Sequence, residues 1–98
     1  MKYIKVRWIH AFPDEPVALY SELDESRRET RKVEIFADGR AGFASVSEST
    51  PSTRTMLSTE PFPQLDEIAA DPQFQPAEID KAEFDKVWLN RGAKPLKG

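Results

Sequence analysis

The chain contains no cysteine, so a disulfide framework and thiolate metal sites are excluded. It has no apolar run near the roughly 20 residues a membrane-spanning helix needs, so no membrane association is predicted. Its opening residues, Met1 to Arg7, interrupt their apolar positions with Lys5 and Arg7 and do not read as a signal peptide. A cytoplasmic location is the expectation. No serine lies in a G-x-S-x-G context, which removes the usual signal for a hydrolase. Gly39 and Gly42 are not followed by the strand–loop–helix order of a phosphate loop. No internal repeat is present.

What remains is 98 residues with the apolar and charged content of an ordinary folded domain. A single domain over residues 1–92 is predicted, followed by a tail over 93–98. The net charge is −3, with 17 acidic and 14 basic residues. The distribution is uneven. From Glu60 to Asp85 there are eight acidic residues and one basic, Lys81. No basic stripe of the kind a nucleic-acid binder carries is present, so nucleic acid is not an expected partner. The one basic cluster, Arg27 to Lys32, follows the acidic stretch Glu22 to Glu25 and reads as a solvated turn of opposed charges.

The clearest local signal is a β-hairpin, with strand-type residues on either side of Asp38-Gly39. A two-residue loop would leave Phe43 on the charged side. A type I turn with Gly39 as a left-handed bulge residue instead pairs Val33 with Phe43 and Ile35 with Ala41. The apolar face selects the second register and turns Lys32, Glu34 and Phe36 outward. Upstream, Lys2 to His10 alternates, with Ile4, Val6, Trp8 and His10 facing the core and Tyr3, Lys5, Arg7 and Ile9 on the wetter side. Pro13 and Pro16 end this strand. Pro16 to Leu23 reads as a second strand, with Val17, Leu19 and Leu23 on one face and Ala18, Tyr20 and Glu22 on the other. Asp24 to Ser26 form a turn.

Residues 47–60 are rich in serine and threonine, lack a period and read as a mobile loop, with Arg54 to Leu57 as a weak edge strand. The last third is helical. Pro63 suits a first turn, Leu65, Ile68 and Ala69 form a stripe, and Pro72 stops the helix. Phe74 turns back into the core. Asp80 is placed to cap a second helix, with Ile79 and Phe84 as a hydrophobic staple. Phe84, Val87 and Trp88 form its apolar stripe, and Gly92 closes it. Strands followed by helices define an α+β domain: a twisted antiparallel sheet of four or more strands with two C-terminal helices packed on one face.

Candidate site residues are few. His10 precedes Asp14 and Glu15, a grouping that suits acid–base work or a metal; a strand-end histidine bonded to the following loop has the same pattern. Trp8 and Trp88 each belong to an apolar stripe and are expected in the core. Arg7, Tyr20 and Phe36 are expected to form an aromatic and cationic patch on the outer sheet face. Asp66, Glu67 and Asp85 belong to the acidic segment, which suits the steering of a basic protein. No catalytic residue, metal site or cofactor is assigned.

The stretches Lys2-Tyr-Ile-Lys-Val-Arg-Trp-Ile-His10, Phe12-Pro-Asp-Glu-Pro-Val17, Leu19-Tyr-Ser-Glu-Leu-Asp24, Arg31-Lys-Val-Glu-Ile-Phe36 and Asp38-Gly-Arg40 make a specific pattern. With Glu67 to Asp71 and Phe84 to Trp88, they resemble a family of small bacterial proteins classed as a domain of unknown function. The resemblance spans nearly the whole chain. It implies a free-standing bacterial domain and brings no activity, substrate or catalytic residue. The expected function is a small protein-interaction module of regulatory or immunity type (toxin-neutralising). The alternative is a small enzyme or ligand binder using His10, Asp14, Glu15, Arg7 and Tyr20.

Overall fold

The computed structural model describes residues 1–49, 53 and 55–91. Five antiparallel strands form one sheet: β1 (Lys2–Trp8), β2 (Pro16–Leu23), β3 (Glu29–Phe36), β4 (Ala41–Ser45) and β5 (Phe74–Ile79). Helix α1 (Leu65–Ala69) precedes β5, and α2 (Lys81–Leu89) follows it. The strand order is β4-β3-β2-β1-β5, so an up-and-down meander is completed by the last strand returning beside the first.

The hairpin is as its faces predict. Val33 pairs with Phe43 and Ile35 with Ala41. Gly39 has φ 90° and its N–H reaches the Phe36 carbonyl at 2.9 Å. Val33 is fully buried, while Ile35 and Phe43 are half-buried. The second strand spans Pro16–Leu23, and the following turn is held by the Asp24 carboxylate, which accepts from the N–H groups of Ser26 (2.8 Å) and Arg28 (3.0 Å).

The sheet changes its apolar side halfway across. Ile4 and Val6 share one face, here called the α1 face, with Leu19, Ser21, Lys32 and Glu34 through the β1–β2 and β2–β3 pairings. Val33 lies on the opposite α2 face, in register with Tyr20 and Phe43. The two halves therefore bury different sides. On the α1 face, Leu65 and Ile68 of α1, with Phe62 and Phe74, pack against Ile4, Val6 and Leu23. On the α2 face, Phe84 is fully buried, its ring 5.3 Å from that of Tyr3, and Trp88 meets Phe43 edge-on at 5.9 Å. The helices thus cover opposite faces instead of sharing one. The cause lies in β1, where Tyr3 and Ile4, adjacent and on opposite faces, are both buried.

A second correction concerns Lys32, Glu34 and Phe36. They do not face solvent: the chain from Thr55 to Pro63 crosses over Lys32 and Glu34 as a strap, and the Arg40 guanidinium lies over the Phe36 ring. The Thr55 hydroxyl donates to Glu34 at 2.8 Å, Lys32 donates to the Met56 carbonyl at 3.1 Å, and the Ser58 N–H donates to Glu29 at 2.7 Å. Arg28 reaches the Thr59 carbonyl at 2.6 Å. Arg27, in the left-handed region at φ 62°, sends its guanidinium to the carbonyls of Phe62 and Pro63. Gly42 sits under this strap, and a Cβ there would collide with the Thr53 and Thr55 hydroxyls. Phe36 is buried, and the cluster from Arg27 to Lys32 is the start of β3 with its turn, not a solvated loop.

Strand β5 has no clear signal in the sequence. It contains Pro76, which a strand tolerates at a sheet edge, where one side of the backbone needs no partner. Phe74 packs against the core as predicted, but as the first residue of this strand. Pro63 precedes α1 instead of opening it, since Gln64 is the N-cap. Asp80 caps α2, its Oδ1 accepting the Glu83 N–H at 2.8 Å. The predicted roles of Gly92 and Arg54, and the tail 93–98, lie outside the described residues.

Candidate functional site

Helix α2 is only nine residues long and covers one end of its face. Beneath it lie Tyr3, Glu22 and Arg31, which the pairings place side by side. Arg31 donates to Glu22 through Nε and Nη2 and to Asp85 of α2 at 3.2 Å, and its guanidinium stacks 4.9 Å from the Phe84 ring. The Arg31 hydrogen bonds, with those from Thr30 and Tyr3, hold the Glu22 carboxyl down at about 2. Burial first, and the Glu22 carboxylate second, push the Tyr3 hydroxyl up. Every charged group here is partnered. The cluster fastens the helix to the sheet.

Beyond the helix, no other helix or strand among the described residues covers the same face, here called the open face. Alternation brings two rows of side chains to it. One holds Ala77, Lys5 and Tyr20; the other holds Gln75, Arg7, Ala18, Ile35 and Ala41. Arg7, Gln75 and Ala77 are exposed and the others half-buried. The Lys5 ammonium lies 5.5 Å from the centre of the Tyr20 ring. These two rows carry two cations and no anion on a chain of net charge −3. The three alanines keep the surface low around Tyr20 and Ile35.

Of the sequence-predicted residues, the structure brings Arg7 and Tyr20 together here. Phe36 lies on the other face, buried and covered by the Arg40 guanidinium at 5.1 Å. His10 is turned into the β1–β2 loop: Nε2 meets the Pro16 carbonyl at 2.8 Å and Nδ1 accepts the Phe12 N–H at 2.9 Å. Both ring nitrogens are therefore engaged. Its ring stacks on that of Phe12, with centroids 5.4 Å apart, and lies tilted against Trp8 at 4.2 Å. Asp14 and Glu15 are exposed and line a polar cleft with Glu34 and Arg40, in which His10 takes no part. No grouping of three or more metal-ligating side chains occurs among the described residues. Asp66 and Glu67 sit on α1 and Asp85 on α2, so they belong to opposite faces. Asp85 is committed to Lys81 and Arg31, which lower its carboxyl below the usual range.

Sequence reasoning missed Lys5, Ala18 and Ile35 as members of the open face. Alternation places Lys5 beside Arg7 within one strand, but the phase of neighbouring strands rests on pairings that no single strand reveals.

The fold and this surface describe a small α+β domain with a half-covered antiparallel sheet. The chain belongs to the family described as a domain of unknown function (DUF6881), whose model matches residues 2–93. No curated protein and no solved structure matches the chain. No helix among the described residues is long and apolar enough to cross a membrane.

Proposed function

We propose that this chain is a protein-interaction module whose docking surface is the open half of the sheet around Tyr20. The observation that carries the reading is the composition of that surface. Lys5, Arg7, Tyr20 and Ile35 stand together on a low platform of alanines, with no carboxylate among them. Tyrosine and arginine are the residues most often responsible for interface affinity, and a patch of one sign selects a partner of the other. The partner's contact surface is acidic. The sequence suggested a basic partner through its acidic segment; with those carboxylates divided between two faces, the open sheet carries the argument. A toxin-neutralising role in a bacterial cytoplasm is the concrete form of this reading, since such a role needs a covering surface and no reaction machinery.

The test is paired affinity capture from the native host, using the wild type and the double variant Lys5→Glu, Arg7→Glu. A partner recovered by the wild type is then purified and titrated directly. The variant is expected to bind at least about tenfold more weakly, with an unchanged melting temperature, and wild-type affinity is expected to fall with added salt. Equal binding by both proteins would remove the open sheet face as the interface.

A further inference from the structure

On the opposite side of the molecule, a hollow of about 400 Å³ opens between the sheet, α1 and the strap. Its size is within the range of small-molecule sites, about 300–1,000 Å³. Its walls are apolar: Leu19 from the sheet, Phe62 from the strap, Ile68 from α1 and Phe74 from β5. Phe62, Ile68 and Phe74 pack against the core yet remain partly exposed.

The floor is polar but closed. Glu29, with its side chain 2% exposed, pairs with Lys32 at 3.2 Å. Its other oxygen accepts from the Ser21 hydroxyl at 2.8 Å. Lys32 also donates to the strap. These charges cancel and their strong bonds are made within the protein. Selectivity therefore falls to the rim, where Glu67 and Asp71 stand exposed. Neither forms an ion pair among the described residues. The lining holds three carboxylates and one ammonium, so its net charge is −2.

We infer that this hollow binds a small organic cation: an apolar body, aryl or branched alkyl, seated against Phe62, Ile68 and Phe74, with an amine held at Glu67 and Asp71. An anion of the same shape meets repulsion at the rim and a floor whose lysine is already neutralised. A neutral analogue has the apolar contacts alone. This site is independent of the open sheet face, and either stands without the other.

The probes are 4-phenylbutylamine and 5-phenylpentanoate, titrated into the full chain at low salt and followed by amide chemical shifts. Saturable shifts are expected at Leu19, Phe62, Ile68 and Phe74, with the amine about tenfold tighter than the carboxylate, as for two partly screened charges. Trp8, whose ring lies 5.7 Å from Phe74, gives a second signal in a Trp88→Phe background. The double variant Glu67→Gln, Asp71→Asn is expected to erase the preference for the amine while the apolar contacts persist. Ile68→Trp should fill the hollow and abolish binding; if that variant fails to fold, the exposed rim variant alone decides. Shifts that do not saturate, an equal affinity for both probes, or an amine preference that survives loss of both rim carboxylates would overturn the inference.

Discussion

Arg31 grips Glu22 at two points, with Nε–Oε1 at 2.9 Å and Nη2–Oε2 at 2.6 Å, beneath the Phe84 ring. The Glu22 side chain is 8% exposed. A buried charge that loses its partner is strongly destabilising, whereas the intact pair is close to neutral against an apolar replacement.

The first prediction follows from this pair. Arg31→Met should lower stability by about 3–5 kcal/mol at pH 7, read from urea denaturation. The Glu22 carboxyl falls from 4.5 to about 2 on folding. A carboxyl lowered in this way contributes stability above its unfolded value and loses it as pH falls through the folded one. Wild-type stability should therefore decline between about pH 4.5 and pH 2. Glu22→Gln should flatten that decline, with a residual slope from Asp85, also lowered by Lys81 and Arg31. An acid limb identical in both proteins would refute the assignment.

Gly42 gives the second. The collision of any side chain there with Thr53 and Thr55 means that Gly42→Val must lift the strap or unseat β4. A cost of about 1–3 kcal/mol is expected from overpacking. Hydrogen exchange at Ser58, whose N–H is bonded to Glu29, should accelerate. An unchanged exchange rate there would mean that the strap is not braced against β4.

Asp80→Ala tests the start of α2. The loss of its bond to the Glu83 N–H should cost about 0.5–2 kcal/mol. The variant Asp80→Asn, which retains an acceptor oxygen, should recover most of that loss. Equal denaturation midpoints for wild type and Asp80→Ala would dismiss the cap.

Two guanidinium groups approach the Trp88 ring, Arg31 at 5.1 Å and Arg91 at 4.0 Å. Trp88→Ala should cost about 3 kcal/mol, since it removes this stacking and the contact with Phe43. In a Trp8→Phe background, Trp88 emission should be blue-shifted relative to the urea-unfolded chain. A maximum equal to that of the unfolded chain would place the ring in solvent.

The hairpin was legible in the sequence because two constraints agree. Gly39 permits the bulged turn, and Val33 with Phe43 demands it. The Asp80 cap was legible because its motif is local. What depends on contacts distant in sequence was not. Glu29, Lys32 and Glu34 have the spacing of a solvent face, and only the strap's backbone, some twenty to thirty residues later, turns them into anchors. The division of the helices between two faces was hidden because β1 reads as one-sided while its first turn is covered on both sides. The same blindness to strand phase grouped Phe36 with Arg7 and Tyr20. Arg7 and Tyr20, and the place of Lys5 beside Arg7, could be read from alternation; the contact of Lys5 with Tyr20 and the membership of Ile35 came only through cross-strand pairing.

The return of β5 to the side of β1 has a consequence for synthesis. On the ribosome, β1 to β4 emerge first and can pair in order, each with the strand before it. Until residues 74–79 have left the exit tunnel, the outer edge of β1 offers its backbone to any passing chain, and Ile4 and Val6 lack the part of their cover that Phe74 supplies. Exposed edges and uncovered apolar side chains are the recognised routes to aggregation. A nascent chain stalled before β5 should therefore be a client for chaperones, whereas one stalled after α2 should not.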